Sequence, residues 1–344
     1  MKEKIKNDII DKVIKEFNKD KHILKNAEFE KTGLDGPNSI FDGLVRFRYH
    51  KRDLEYHFKI HNNVNNTVIG ILAQQKKNIK VPILLISGYI NNKKAEELRG
   101  KKIQFIDAAG NAYIDNYPIY IFIKGNKPDK GSLINKRFNI FEPGGLKIIY
   151  VLLINPENIK KPYRDIAEIA GVSLGTAAGT IKDLNRQGYV IMMGQKIRKL
   201  LNKKNLFNRW CIEFNERLRP KLLIDRFTGP NNWWREEILD PAQAQWGGEV
   251  AANKLIGYTK PNEIIIYTDT EKYKKIVIKN RLRKDEEGDI AFFNRFWHFS
   301  DCQDVIADPI LVYSDLLNTG DQRAVEVAKE IYEEYIDKRF RQDR

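Results

Sequence analysis

The residues of this chain best suited to chemistry lie in a stretch with small hydroxyl side chains and one lysine, residues 173–186. Within it, Ala177, Ile181 and Leu184 share one apolar face at helical spacing, while hydroxyls and a lysine occupy other positions. Hydroxyl and ammonium groups hydrogen-bond to base edges and phosphates, and small side chains fit a DNA groove. The candidate DNA-binding residues of this stretch are Ser173, Thr176, Ala177, Thr180 and Lys182.

A second group of candidate residues follows in a basic stretch, residues 196–221, where lysines and arginines far outnumber acids and apolar residues are interleaved. This pattern indicates a loop or helix that lies along DNA phosphates. The candidate phosphate-binding residues are Lys196, Arg198, Lys199, Lys203 and Lys204. A solvated helix face, with lysine stems covering an apolar patch, is the alternative explanation.

The elements that must position these residues are three helices and a strand. Residues 143–154 and 163–170 have the apolar spacing of helices, and Gly171 suits the turn that ends the second one. Ser173 is a favourable N-cap for the third helix, and residues 189–193 form an apolar strand. This order predicts a winged helix-turn-helix, whose second motif helix enters the DNA major groove. An ordinary helical hairpin within a larger core is the alternative.

Length and charge set broad limits on the protein. The 344 residues predict two or three domains, and the net charge of +14 favours an anionic partner, with nucleic acid before a membrane surface. No apolar run is long enough to span a bilayer, and the charged N-terminus is unlike a signal peptide, so we expect a cytoplasmic protein. Cys211 and Cys302 lack metal-ligand spacing and predict buried thiols. We predict no cofactor.

The predicted organisation is a multidomain chain of mixed α/β and α+β class. Residues 1–130 show a hairpin, then alternating helices and strands, and predict an α/β domain around one sheet. A polar linker precedes the winged helix-turn-helix domain, residues 136–200. Residues 201–344 predict a C-terminal α+β domain, in which residues 275–278 have the pattern of a strand.

The order of elements in the N-terminal part resembles the restriction-endonuclease-like fold. In that family, two carboxylates bind a divalent metal and a lysine lies beside the attacking water. The resemblance matches Asp42 to the first acid and Lys59 to the lysine, but His57 stands where the second acid is expected. Glu55, two residues earlier on the same strand face, is a possible replacement carboxylate. We therefore expect a catalytically silent domain, with Mg²⁺ required only if it cleaves DNA.

Several sequence blocks together resemble the AbiEi-type antitoxins, which are transcriptional regulators of type IV toxin–antitoxin and abortive-infection systems. The blocks keep the family's order and are FIDAAGNAYI, PGGLKIIYVLL, PYRDIAEIAGVSLGT, IKDLNRQG, RLRPKLL, WGGEVAA and DPILVYSDLLNTGDQRAVEVA. The resemblance implies a repressor of its own operon that binds promoter DNA, and a nucleotidyltransferase-like toxin as genetic partner. Residues 1–125 depart from the better-known members, whose winged helix lies close to the N-terminus.

Three functional hypotheses follow from the sequence. The first is a DNA-binding regulator and antitoxin, for which a dimer on DNA is expected if the operator is an inverted repeat. The alternative is a metal-dependent DNA endonuclease that uses Asp42, Glu55 or His57, and Lys59, with the winged helix as its targeting module. The third is an interaction protein whose C-terminal domain binds a toxin or an RNA.

Overall fold

The structure is a computed structural model, and it divides the chain into two compact units, Met1–Arg137 and Phe138–Arg344. It describes residues 2–19, 27–30, 41–49, 52–61, 63–76, 79, 81–117, 119–128, 140–193, 197–257, 261–298 and 304–341. Both units mix helices and strands, as expected from the sequence. Among the described residues, no helix is both long and apolar enough to cross a membrane.

The described residues of the first unit form three helices and seven strands. Its helices are α1 (Lys2–Lys19), α2 (Asn66–Lys76) and α3 (Asn92–Gly100). Its strands are β1 (Ala27–Glu30), β2 (Gly43–Tyr49), β3 (Arg52–His61), β4 (Ile83–Ser87), β5 (Gln104–Asp107), β6 (Ala112–Asn116) and β7 (Ile119–Ile123).

These seven strands form one sheet in which every strand pairs with its neighbour along the chain. Strands β3, β4 and β5 are parallel, because α2 and α3 provide the two crossovers between them, and the other pairs are antiparallel. The core packs Ile9 and Val13 of α1 against alternate residues of the sheet, such as Tyr56, Phe58 and Leu84.

The second unit begins with three helices and a two-stranded antiparallel sheet. The helices are α4 (Pro143–Ile154), α5 (Tyr163–Ile169) and α6 (Leu174–Arg186), and the strands are β8 (Val190–Met193) and β9 (Ile197–Leu200). Helix α7 (Lys203–Glu213) continues through the π-helical turn Phe214–Leu218 into α8 (Arg219–Leu222). These bounds agree with the predicted helices and with the predicted strand before the wing.

The rest of the second unit is built on a five-stranded mixed sheet, with strand order β11-β12-β14-β10-β13. Its strands are β10 (Leu223–Thr228), β11 (Ala244–Gly247), β12 (Ile264–Thr268), β13 (Arg283–Lys284) and β14 (Ile290–Asn294). Its helices are α9 (Gly248–Ile256), α10 (Tyr273–Lys279), α11 (Pro309–Thr319), α12 (Gln322–Ile331) and α13 (Asp337–Arg341). The predicted strand at residues 275–278 is wrong, since these residues lie in α10.

One aromatic cluster joins the two parts of the second unit. The ring of Tyr150 on α4 stacks on Trp210 of α7 at 5.3 Å between centroids and also contacts Phe296 and Trp297. The indole Nε1 of Trp210 donates a hydrogen bond to the carbonyl of Leu146 at 2.9 Å. The helices of the predicted winged helix therefore share a core with the part of the second unit that follows β9, which we call the C-terminal segment. Cys211 lies in the same interior, where burial raises its pKa, and Cys302 is outside the described residues.

Candidate nucleic-acid interface

The turn between α5 and α6 is fixed by local caps and by one distant contact. Ser173 caps α6, because its Oγ accepts a hydrogen bond from the Thr176 backbone N–H at 3.2 Å. Gly171 has φ +58°, a conformation that favours glycine. A Cβ there would lie 2.8 Å from His298 Nε2, and the His298 N–H donates to the Ile169 carbonyl at 2.9 Å. The C-terminal segment therefore supports the turn directly.

Two of the residues predicted to face a DNA groove are buried. Ala177 is fully buried and Thr180 is 7% exposed, on the side of α6 that carries Ile181. Thr176 is half-buried, and its methyl group lies close to Gly144 of α4. The expectation that Ala177 and Thr180 contact DNA from this face is wrong. Their side chains pack into the core that α6 shares with its neighbours.

The open face of α6 is lined by different residues. Lys182 and Arg186 are exposed, and Gly175 and Gly179 lie on the same side of the helix, opposite Ala177. A Cβ on Gly179 would meet no atom within 4 Å. These four residues follow one another along the sequence at intervals of four, three and four positions. Once the apolar face of the helix has been identified, this spacing assigns them to the opposite face. Sequence reasoning selected hydroxyl residues instead and missed the glycines and Arg186.

The two-stranded sheet after α6 buries one of its predicted phosphate ligands. The guanidinium of Arg198 lies 4.4 Å over the ring of Tyr163 and donates to the Lys161 carbonyl. Arg198 is only 8% exposed, so the prediction that its side chain binds phosphate is wrong in this structure. Lys199 is exposed beside it on β9. Lys196 lies outside the described residues.

Helix α7 also turns part of the predicted basic surface inward. Lys203 is 5% exposed, and its Nζ donates a hydrogen bond to the Arg339 carbonyl at 3.1 Å. It therefore ties α7 to the C-terminal helices, and its assignment as a phosphate ligand is wrong. Lys204 is exposed, with its Nζ 5.2 Å from the centre of the Tyr332 ring.

Four of the accessible cations lie on α5, α6 and β9. Lys182 and Arg186 lie on the open face of α6, with Lys199 on β9 and Arg164 in the first turn of α5, and all four are exposed. Arg186 is also 3.0 Å from Asp183. Because these side chains are not buried in the protein, they are available to attract phosphate groups. Lys147 on α4 is half-buried, and burial lowers its pKa.

The candidate nuclease residues of the first unit do not assemble a metal site. Asp42 Oδ2 accepts a hydrogen bond from the Ile60 N–H at 2.7 Å, and its Oδ1 is 3.9 Å from Lys59 Nζ. The Glu55 carboxylate forms an ion pair with Arg46, with 3.2 Å between Glu55 Oε1 and Arg46 Nη2. The His57 ring stacks on Phe41 with 4.9 Å between centroids, and its Nδ1 is buried without a hydrogen-bond partner. No cluster of three His, Cys, Asp or Glu side chains suited to a metal occurs in the part of the chain that the structure describes. The nuclease alternative is not supported, since the second carboxylate is engaged elsewhere.

Comparison with known proteins gives one family. Residues 199–337 match the model of the family described as transcriptional regulator, AbiEi antitoxin, type IV toxin–antitoxin system. Searches of the curated proteins and of the solved structures found no match. The matched segment runs from β9 through α12 and includes the part that supports the α5–α6 turn. Residues 199–337 of this chain are therefore similar to the AbiEi antitoxin family, a family of type IV toxin–antitoxin transcriptional regulators.

Proposed function

We propose that this chain is a regulator that binds double-stranded DNA through a winged helix-turn-helix formed by α4, α5, α6 and the β8–β9 hairpin. Helix α6 enters the major groove with the face that carries Gly175, Gly179, Lys182 and Arg186. Lys199 on the wing and Arg164 on α5 contact phosphates on either side. The DNA is the promoter region of the chain's own operon, and binding represses transcription.

The observation that carries this proposal is the open face of α6. A glycine in a helix interior costs about 1 kcal/mol relative to alanine, and Gly179 has no neighbour that a methyl group would meet. Packing therefore gives no reason for a glycine at this position. Close approach of the helix backbone to a ligand does, and the flanking Lys182 and Arg186 select a polyanion.

Two substitutions on the open face test the proposal. Gly179→Glu and Lys182→Glu each place a carboxylate where phosphates or base edges would lie, so we expect affinity for the upstream DNA to fall at least about tenfold. Fluorescence anisotropy against the upstream duplex and a scrambled duplex, over a series of salt concentrations, measures the effect. The wild-type protein should prefer the upstream duplex at every salt concentration.

Lys338→Glu is the matched control, because Lys338 is exposed on α13 and lies outside the proposed interface. It changes the net charge as much as Lys182→Glu and should leave the preference for upstream DNA intact. Unchanged affinity in both α6 variants, with unchanged melting curves, would exclude α6 as the recognition helix. Equal binding of both duplexes by wild-type protein, lost steeply with salt, would reduce the activity to nonspecific phosphate contact.

The antitoxin role is the second half of the proposal. The family of residues 199–337 supports a function against a toxin, and we propose a nucleotidyltransferase-like enzyme encoded beside this chain as that toxin. Expressing the neighbouring gene alone should arrest growth, and co-expressing this chain should restore it. Rescue that persists with Lys182→Glu would separate the antitoxin function from DNA binding. If co-expression fails to restore growth, the antitoxin assignment is wrong.

A further inference from the structure

The first unit carries a cavity at the end of its sheet where β4 and β5 begin. Its volume is about 240 Å³, just below the roughly 300–1,000 Å³ of pockets for drug-sized ligands, so it suits one small molecule. Part of its wall is apolar and consists of Leu72, Pro82, Ile83 and Ile103. Such a wall gives a flat ring a surface to pack on. The polar groups of the lining then decide which molecule fits.

Gln104 supplies a hydrogen-bond donor to this cavity. The residue lines the cavity and is 8% exposed, and its Oε1 accepts hydrogen bonds from the Tyr56 hydroxyl at 3.1 Å and from the Asp115 backbone N–H at 2.9 Å. The backbone donor fixes the orientation of the amide, since only the amide oxygen can accept from an N–H. Gln104 Nε2 then makes no hydrogen bond with any residue that the structure describes, and solvent reaches it. This nitrogen is therefore available to an acceptor on a ligand.

Asp115 supplies an acceptor to the same cavity. Its residue is exposed on β6, and its Oδ2 accepts a hydrogen bond from the Tyr113 hydroxyl at 3.1 Å. The carboxylate makes no ion pair with any residue that the structure describes, so it can accept further hydrogen bonds. Gln104 and Asp115 are in direct contact through the Asp115 backbone, and together they offer the cavity a donor and an acceptor. The edge of a nucleobase carries the matching groups, an acceptor next to a donor.

Two lysines in the lining supply positive charge. Lys76 Nζ donates to the Lys102 carbonyl at 2.7 Å and to the Lys101 carbonyl at 3.5 Å, which leaves one of its three N–H groups for a ligand. The Lys102 ammonium makes no hydrogen bond or ion pair with the described part of the chain. Partial burial and the charge of Lys102 lower the pKa of Lys76, and the charge of Asp115 opposes them. An anionic group between the two ammonium groups would relieve their repulsion.

The backbone of Lys102 gives a second reason to assign its side chain a role. Its φ of +52° lies in the left-handed region, which disfavours side chains and favours glycine. The residue lies in the turn that ends α3, where its N–H donates to the Arg99 carbonyl at 2.9 Å. A glycine would hold this turn with less strain, so the turn itself does not explain a lysine here. Recognition of an anion by its ammonium group does.

We propose that this cavity binds a nucleoside 5′-monophosphate. The phosphate contacts Lys76 and Lys102, and the base packs on the apolar wall. The edge of the base accepts a hydrogen bond from Gln104 Nε2 and donates one to the Asp115 carboxylate. Free phosphate would use the lysines alone, and a duplex is too wide for a cavity of this volume. The site lies within the first unit, so the proposal does not depend on DNA binding by α6.

Isothermal titration calorimetry of the full-length chain tests the proposal with AMP, GMP, CMP and UMP, and with ribose 5-phosphate as the ligand that lacks a base. At least one nucleotide should bind about tenfold or more tightly than ribose 5-phosphate, because only the nucleotide reaches Gln104 and Asp115. Lys102→Gln should weaken binding of that nucleotide about tenfold, since it removes a phosphate contact. Asp115→Ala should weaken binding of the nucleotide by a similar factor and should not weaken binding of ribose 5-phosphate. Both positions are exposed, so both variants should keep the wild-type melting curve.

Lys93→Gln is the matched control, because Lys93 is exposed on α3 and does not line the cavity. It removes the same charge as Lys102→Gln and should leave nucleotide affinity unchanged. Lys182→Glu on α6 should also leave it unchanged, so failure of this proposal is distinct from failure of the proposed function. Absence of binding by all four nucleotides at millimolar concentration would overturn the proposal, and so would equal affinity for ribose 5-phosphate. Nucleotide affinity that neither Lys102→Gln nor Asp115→Ala weakens would place the binding elsewhere and overturn it too.

Discussion

At the scale of single residues, the C-terminal segment is organised around one buried carboxylate, Asp315. Its oxygens accept hydrogen bonds from Arg219 Nε at 3.2 Å, from the Tyr267 hydroxyl at 2.9 Å and from the Gly248 backbone N–H at 3.2 Å. Burial raises the pKa of Asp315 to about 6, so the group is ionised at pH 7. A Cβ on Gly247 would lie 3.0 Å from the same carboxylate. The paired glycines of the WGGE block therefore allow close packing around Asp315.

Asp315→Asn should be strongly destabilising. The substitution keeps the shape of the side chain but leaves the buried guanidinium of Arg219 without its carboxylate, so we expect a loss of about 3 kcal/mol in the free energy of unfolding at pH 7. Urea denaturation measures it. The double variant Arg219→Met with Asp315→Asn should lose less than the sum of the two single variants, because it removes both charges. Additive losses would show that the two residues act independently.

A second residue-scale prediction concerns Gly179 of α6. Gly179→Ala should raise the free energy of unfolding by about 1 kcal/mol, because alanine lowers the entropy of the unfolded chain and meets no neighbour in the folded one. Thermal melting of the variant beside wild type measures the change. Gly175→Ala is the companion, since its Cβ would meet only Ser173 Oγ, at 3.9 Å. A loss of stability at Gly179 would mean that the glycine has a packing role.

At the scale of elements, the α5–α6 turn depends on a contact from outside the three helices. Gly171→Ala should lower the free energy of unfolding by about 1–2 kcal/mol, because alanine disfavours φ +58°. It should also weaken DNA binding, since the His298 ring must move away from the new methyl group. His298→Ala in the same chain removes the collision but not the backbone strain, so it should recover DNA affinity more than stability. If His298→Ala restored both stability and DNA affinity completely, the collision with the His298 ring would account for the whole effect of Gly171→Ala.

The element scale also shows what the sequence could predict. Helix α4 has the predicted bounds, and the Ser173 N-cap and the break at Gly171 are confirmed, because caps and apolar spacing are local properties. The burial of Arg198 and Lys203 was not predictable, since their partners are carbonyls 37 and 136 residues away. Thr180 was assigned to the groove because a hydroxyl suggests polarity, although its position beside Ile181 already favours the core side.

At the scale of the whole molecule, the family match and the folding unit have different limits. The match begins at residue 199, whereas the compact unit begins at Phe138. We expect a fragment of residues 138–344 to fold cooperatively and to keep the DNA preference of the full chain. A fragment of residues 201–344 should not, because it loses Tyr150 and exposes the Trp210 ring that stacks on it. Circular dichroism melting of both fragments measures this. Cooperative melting of the shorter fragment would establish it as an independent domain.

The sheet of the first unit has a consequence for how the protein is made. Every strand from β1 to β7 pairs with the strand that precedes or follows it along the chain. Each strand therefore needs a partner only from the adjacent strand of the sequence, and no pair has to wait for a distant part of the chain. As the polypeptide leaves the ribosome, the sheet can grow by one strand at a time in the order of translation. Synthesis from the N-terminus thus presents the second unit's helices only after the first sheet has all its strands.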